Sequence, residues 1–114
     1  MIRVNVSYIE EVCGKDRDII AEMVKIFCEQ VPEIIHDLKT NYESGNYYEL
    51  GLVAHKAKSS VAIMGMDELA VKLKELELKA KAGEERDQYE GYIEDYISQT
   101  SEAISELNEY LKVL

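Results

Sequence analysis

The chain has 114 residues, of which 46% are hydrophobic, and a formal net charge of −10. This length and composition suit one compact globular domain over residues 1–114. The negative charge argues against sequence-independent binding to nucleic acid or to anionic membranes, because such binding needs clustered lysine and arginine.

The composition also argues against a membrane-spanning protein and against a secreted, disulfide-rich protein. No apolar run approaches the ~18 residues that a membrane span requires, and the first residues lack the apolar core of a signal peptide. The two cysteines, Cys13 and Cys28, are too few for a disulfide framework and lie beside apolar helical positions. We therefore expect reduced, partly buried thiols in a cytoplasmic protein.

Helical periodicity begins near the N-terminus. Ser7 and Glu10 have the spacing of a capping box, which predicts the start of a short helix that Gly14 ends. Asp16 is the predicted N-cap of a long second helix. Its apolar residues recur at three- and four-residue steps: Ile19, Ile20, Met23, Phe27, Val31, Ile34, Ile35 and Leu38.

Proline and glycine divide the middle of the chain. Pro32 lies inside the second helical pattern and is expected to kink or restart that helix, because it has no backbone N–H. Gly45 is the predicted end of this helix. Asn46 and Glu49 then form another cap signature, which begins a third helix that runs to about Met64.

The rest of the chain predicts two more helices. Gly65 ends the third helix, Asp67 caps a fourth, and Gly83 ends the fourth. A long last helix over about residues 85–113 carries Ile93, Ile97, Thr100, Ile104, Leu107 and Leu111 at alternating three- and four-residue steps. The predicted fold is all-α: an antiparallel up-down four-helix bundle with a short extra N-terminal helix.

His55 is the most informative residue of the third helix. At 100° per residue it lies opposite the predicted core stripe of that helix, so its imidazole should face solvent. The core stripe consists of Leu50, Val53, Ala57, Val61 and Met64. The neighbours of His55 within about 60° are Tyr48, Gly51, Leu52, Lys58, Ser59 and Ala62.

The residues beside His55 suit contact with another molecule. Glycine inside a helix costs ~1 kcal/mol relative to alanine, so Gly51 indicates a steric requirement. Lys58, three residues after His55, is within reach of a group bonded to the ring, and its charge suits a phosphoryl group. An exposed imidazole is also largely neutral, and hence nucleophilic, near neutral pH.

The motif Ala54-His55-x-x-Lys58-x-Ser60, with Gly65 ten residues after the histidine, resembles the histidine-containing phosphotransfer (HPt) domain family. The likeness extends to further parts of the chain: the run Phe27, Pro32, Ile35 and Leu38, the Gly45-Asn46 break before the histidine helix, and Leu73, Leu76 and Glu77 after it. This resemblance implies a four-helix bundle that carries a phosphoryl group between receiver domains in two-component phosphorelays.

The resemblance also implies roles for individual residues. His55 would accept phosphate from a receiver aspartate and pass it to another receiver, and Lys58 would hold the phosphoryl oxygens. Ser59 stands where the family commonly has glycine, and its hydroxyl is a further candidate contact. The family has no ATP site, no autokinase activity and no cofactor or metal of its own, since Mg²⁺ is held by the receiver.

The same resemblance predicts the partners. These are receiver domains, and a hybrid sensor kinase is a further candidate partner. The predicted docking surface around His55 consists of Tyr48, Gly51, Leu52, Lys56 and Ala62. Either imidazole nitrogen can react on the evidence of the residues alone, and the resemblance favours Nε2.

Three alternatives remain open. Glu33 and His36 have the Glu-x-x-His spacing of di-iron bundles, but Leu52 stands three residues before His55 and removes a second copy. The bundle can also be a docking module that binds a partner without accepting phosphate. The last helix has a heptad-like pattern that suits self-association, although we expect a monomer.

Overall fold

The computed structural model describes residues 3–114 of the chain, so the first two residues of the predicted domain lie outside it. Residues 3–114 contain helices and no strands. The helices are α1 (Val6–Cys13), α2 (Arg17–Glu43), α3 (Tyr47–Ile63), α4 (Asp67–Ala82) and α5 (Tyr89–Val113), with a single 3-10 turn at Arg86–Gln88 before α5.

The start of α1 differs from the prediction. Asn5, rather than Ser7, is the N-cap, and its side chain accepts a hydrogen bond from the Tyr8 N–H at 3.0 Å. Ser7 lies inside the helix, which begins at Val6, so no capping box forms there. Gly14 ends α1 as predicted, with a φ of +64° that glycine adopts without strain.

The predicted restart of α2 at Pro32 is wrong, because a single helix runs from Arg17 to Glu43. Pro32 is exposed, whereas its neighbours Val31 and Ile34 are buried on the opposite side. The buried face packs against the rest of the protein and keeps the helix continuous around the missing N–H. Asp16 caps this helix, as predicted, through two backbone N–H groups.

Helices α3 and α4 end at the glycines that the sequence predicted, but their first turns differ from the prediction. Gly65 and Gly83 have φ values of +74° and +68° just after α3 and α4. Asn46 precedes α3 without a side-chain capping bond, and Asp67 is the first residue of α4 rather than its cap. Backbone N–H groups at these starts are therefore not satisfied by the predicted side chains.

The four long helices contact one another in a closed circuit: α2 with α3, α3 with α4, α4 with α5, and α5 with α2, while α1 packs on α2. The buried face of α5 is partly different from the prediction. It consists of Tyr89, Ile93, Tyr96, Thr100, Ala103 and Leu107. No helix in residues 3–114 combines the length and hydropathy that crossing a bilayer would require.

Candidate functional site

His55 lies on the outer side of α3, as predicted, and 54% of its side chain is exposed. The opposite side of α3 is buried, although the buried face is wider than the predicted stripe. Val53 is only half-buried. The buried residues are Leu50, Gly51, Ala54, Ala57, Ser60, Val61 and, just after the helix, Met64.

The imidazole is held from α4 by a buried carboxylate. His55 Nδ1 lies 3.1 Å from Oε1 of Glu77, whose side chain is only 5% exposed. Oε2 of Glu77 accepts a hydrogen bond of 2.8 Å from Nζ of Lys81. Nζ of Lys74 lies 3.8 Å from Oε1. Glu77 therefore faces one imidazole and two ammonium groups.

These neighbours keep Glu77 ionised. Burial by itself would raise the pKa of this carboxyl group, but the hydrogen bonds from Lys81 and His55, together with nearby positive charge, lower the pKa to about 2. An ionised carboxylate has no proton to donate, so the proton of the Nδ1 hydrogen bond belongs to His55. A neutral His55 ring consequently carries its lone pair on Nε2.

Gly51 is not part of the open surface, contrary to the prediction. It is buried where α3 meets α4. A Cβ atom at this position would lie 2.7 Å from Cγ of Lys81 and 2.9 Å from the backbone carbonyl oxygen of Glu77. The steric requirement inferred from the sequence is real, but it comes from α4 and not from a partner protein. The missing side chain allows the two helices to approach closely enough for Glu77 to contact His55.

The other predicted residues surround His55 at different depths. Tyr48 and Leu52 are exposed by 59% and 42%, and Lys56 is also exposed. Lys58 and Ala62 are half-buried. All of them lie on α3, so the structure brings together every predicted site residue except Gly51, which lies beneath the surface.

Ser59 is exposed, but its hydroxyl already has a partner. Ser59 Oγ donates a hydrogen bond of 3.2 Å to the backbone carbonyl of His55, one turn earlier in the helix. The proton of this hydroxyl therefore points back along α3. A contact between this proton and a group on the imidazole would require the side chain to rotate.

An apolar patch that was not predicted extends from this site towards α2. Ile63 and Ile26 are 46% and 45% exposed, and Ile63 lies one turn after Ser59. A cavity of 140 Å³ lies between α2 and α3 at this patch. Its lining consists of Met23, Ile26, Phe27, Gln30, Ser60, Ile63 and Met64. Isoleucines that flank the core stripes of two successive helices were the available signal in the sequence.

The residues of the metal-site alternative lie elsewhere. Glu33 and His36 are both exposed on α2. Within residues 3–114, no group of three His, Cys, Asp or Glu side chains is placed to hold a metal ion.

Cys13 is buried and Cys28 is half-buried, and both are free thiols.

Comparisons with known proteins identify a similar fold and a family. The chain is similar in fold to histidine-containing phosphotransfer protein B (HptB) from Pseudomonas aeruginosa PAO1, with a TM-score of 0.89 and 20% sequence identity. The superposition covers 98% of this chain and 96% of that chain. No curated protein sequence matches significantly. The family model of the Hpt domain matches residues 22–111, and the chain therefore belongs to the Hpt domain family.

Proposed function

We propose that this chain is a cytoplasmic phosphorelay intermediate. His55 accepts a phosphoryl group from an aspartyl phosphate on one receiver domain and passes it to an aspartate on another. The observation that carries this proposal is the hydrogen bond between His55 Nδ1 and the buried Glu77 carboxylate. It orients an exposed imidazole and leaves Nε2 as the nucleophilic nitrogen.

The reaction balances without a cofactor of this chain. The lone pair of His55 Nε2 attacks phosphorus, and the bond between phosphorus and the receiver's carboxyl oxygen breaks. The aspartate leaves as a carboxylate with that electron pair. The ring becomes an imidazolium, whose Nδ1–H faces the Glu77 anion and is stabilised by it. Transfer to the second receiver is the reverse reaction.

Charge neutralisation and positioning supply most of the catalysis of phosphoryl transfer. Lys58 lies on the turn after His55 and can contact the phosphoryl oxygens. Mg²⁺ on the receiver would neutralise the other side of the transferring group. Ser59 plays a smaller role than the sequence suggested, because its proton is engaged by the backbone of α3.

The surface around His55 is the proposed docking site for the receiver. It includes Tyr48, Leu52, Lys56 and Ala62, and we add Ile63 and the apolar patch beside it. The charge distribution supports this choice. Residues 84–114 contain nine acidic and two basic residues, whereas residues 46–66 contain one acidic and two basic residues. An acidic receiver pocket is therefore attracted to α3 and repelled by α5.

The fold supports the same function. The closed circuit of helix contacts and the short connections favour the antiparallel up-down order of α2 to α5. In such an order α3 is held on both sides, by α2 and by α4, and presents its third side to a partner. A monomer satisfies this arrangement, and we propose a monomer.

The test is phosphate transfer from receiver domains that carry radioactive phosphate. We compare the wild type with His55→Gln and with His36→Gln, which removes the other, exposed histidine on α2. Acid-labile, alkali-stable label is expected on the wild type and on His36→Gln, and none on a folded His55→Gln. Label that persists on His55→Gln, or no label from a panel of competent receivers, would leave a docking module as the better account.

A further inference from the structure

The two lysines beside Glu77 are held very differently. Lys81 donates a hydrogen bond of 2.8 Å to Oε2, and this bond raises the pKa of its ammonium group. Its side chain is 31% exposed and packs over Gly51. Lys74 lies 3.8 Å from Oε1, too far for a hydrogen bond, and its side chain is 49% exposed. Lys81 is fixed to the carboxylate, whereas Lys74 is free to move.

Lys74 is nevertheless close to the reactive ring. Its ammonium group and His55 Nδ1 approach the same oxygen atom, Oε1 of Glu77, at 3.8 and 3.1 Å. The ammonium nitrogen can therefore be no farther from Nδ1 than these two distances added together. A lysine side chain has a flexible four-carbon stem, so a modest change of rotamer moves its charge by this amount. Lys74 lies on α4 and points to this shared oxygen atom, whereas Lys58 lies three residues after His55 on α3.

The charges around the ring change when it is phosphorylated. With a neutral His55, the Glu77 anion faces two ammonium groups, and one unit of positive charge remains unbalanced. Lys58 adds a second positive charge. A phosphoryl group brings about two negative charges near neutral pH. The phosphorylated imidazole is itself positively charged, which strengthens its hydrogen bond to Glu77. The Glu77 carboxylate is then neutralised more fully by the imidazolium, so its attraction for the Lys74 ammonium group is weaker. The phosphoryl oxygens attract the same ammonium group more strongly.

We propose that Lys74 is a second cation for the phosphoryl group: it leaves Glu77 and contacts the phosphoryl oxygens on His55 Nε2 from α4, opposite the contact made by Lys58. This inference rests on the proposed phosphorylation of His55. Lys81 keeps its bond to Glu77 in both states, so the imidazole stays oriented while Lys74 moves.

Lys72 provides a matched control on the same helix. Its side chain is 50% exposed, and its ammonium group lies 3.2 Å from Oδ2 of Asp95 on α5, away from His55. Lys74→Gln and Lys72→Gln therefore remove the same charge from α4, but only Lys74→Gln removes it from the site. At physiological salt, a screening length of about 8 Å limits the effect of the more distant charge.

The experiment phosphorylates the protein with potassium phosphoramidate in a His36→Gln background, where His55 is the remaining histidine, so no receiver is needed. As His55 Nε2 bonds to phosphorus, the phosphorus–nitrogen bond of the reagent breaks and its nitrogen leaves, protonated, as ammonia. Phosphorus-31 NMR at mildly alkaline pH, where the phosphorus–nitrogen bond is stable and the phosphoryl group is a dianion, then records the chemical shift of phosphorus. An ammonium group that contacts the phosphoryl oxygens changes their electron density, so its removal moves this resonance.

We expect Lys74→Gln to move the phosphorus resonance, and Lys72→Gln to leave it at its wild-type position, because the charge of Lys72 is remote and screened. Equal shifts for both variants, or no shift for Lys74→Gln, would overturn the proposal. A shift specific to Lys74→Gln in a chain that no receiver phosphorylates would sustain the Lys74 contact while refuting the relay function. Failure of phosphoramidate to modify the wild type would refute both.

Discussion

Replacement of Gly51 by alanine has opposite expected effects when judged from the sequence and from the structure. In an isolated helix the substitution stabilises by ~1 kcal/mol, because alanine loses less conformational freedom than glycine. In the structure, the new Cβ would lie 2.7 Å from Cγ of Lys81 and 2.9 Å from the carbonyl oxygen of Glu77. The lysine side chain can rotate away, but the carbonyl oxygen belongs to the backbone of α4 and cannot move alone.

The structural effect is the larger of the two. Overpacking of this kind costs typically ~1–3 kcal/mol. Displacement of Lys81 also weakens a charged hydrogen bond to Glu77 whose type contributes ~1.5–3 kcal/mol. After subtraction of the helical gain, we expect Gly51→Ala to lower the free energy of unfolding by about 2 kcal/mol. For a chain of this size that corresponds to a decrease in Tm of about 8 °C.

The assay is urea denaturation followed by far-UV circular dichroism, with Gly91→Ala as the control. Gly91 is an exposed glycine in α5, and a Cβ added there would meet no neighbouring side chain or helix within 4 Å. The control should therefore be stabilised by about 0.5–1 kcal/mol. If Gly51→Ala were as stable as the wild type or more stable, the close approach of α3 and α4 would be refuted as the reason for glycine.

Two further substitutions test the ion cluster and the docking surface. The pKa of Glu77 is about 2 in the folded chain against an ordinary 4.5, so its ionisation stabilises the fold in full above pH 4.5, and this contribution disappears as the pH falls to 2. The difference in unfolding free energy between the wild type and Glu77→Gln should shrink by at most about 3 kcal/mol over that range in urea titrations, and a constant difference would contradict the assignment. Ile63→Glu should weaken the binding of a receiver by at least about tenfold, as measured by calorimetry. Val113→Glu places the same charge at a remote position near the C-terminus that is 84% exposed, and it should not weaken binding. Equal effects of the two substitutions would exclude the apolar patch from the interface.

Much of the fold was accessible from local sequence. Helical periodicity predicted all five helices, because a helix in a small protein must bury one apolar face. Glycine marked the ends of α1, α3 and α4, where the backbone takes a positive φ. The starts of helices were less predictable, since several side chains near each start can act as caps. Asn5 capped α1 in place of Ser7, and Asp67 became the first residue of α4.

The exposure of His55 and its motif with Lys58 were also determined by the sequence, because both depend only on spacing along one helix. The partner of the imidazole was not. Glu77 lies 22 residues after His55, on another helix. The family resemblance included this residue but gave it no role, and spacing along the chain does not show that it contacts the imidazole. The burial of Glu77 depends on how α4 is rotated against α3 and how closely the two helices approach. The distance between the two helices is short because Gly51 packs directly against the backbone of α4. This contact joins residues far apart in the sequence, so only the tertiary structure shows it.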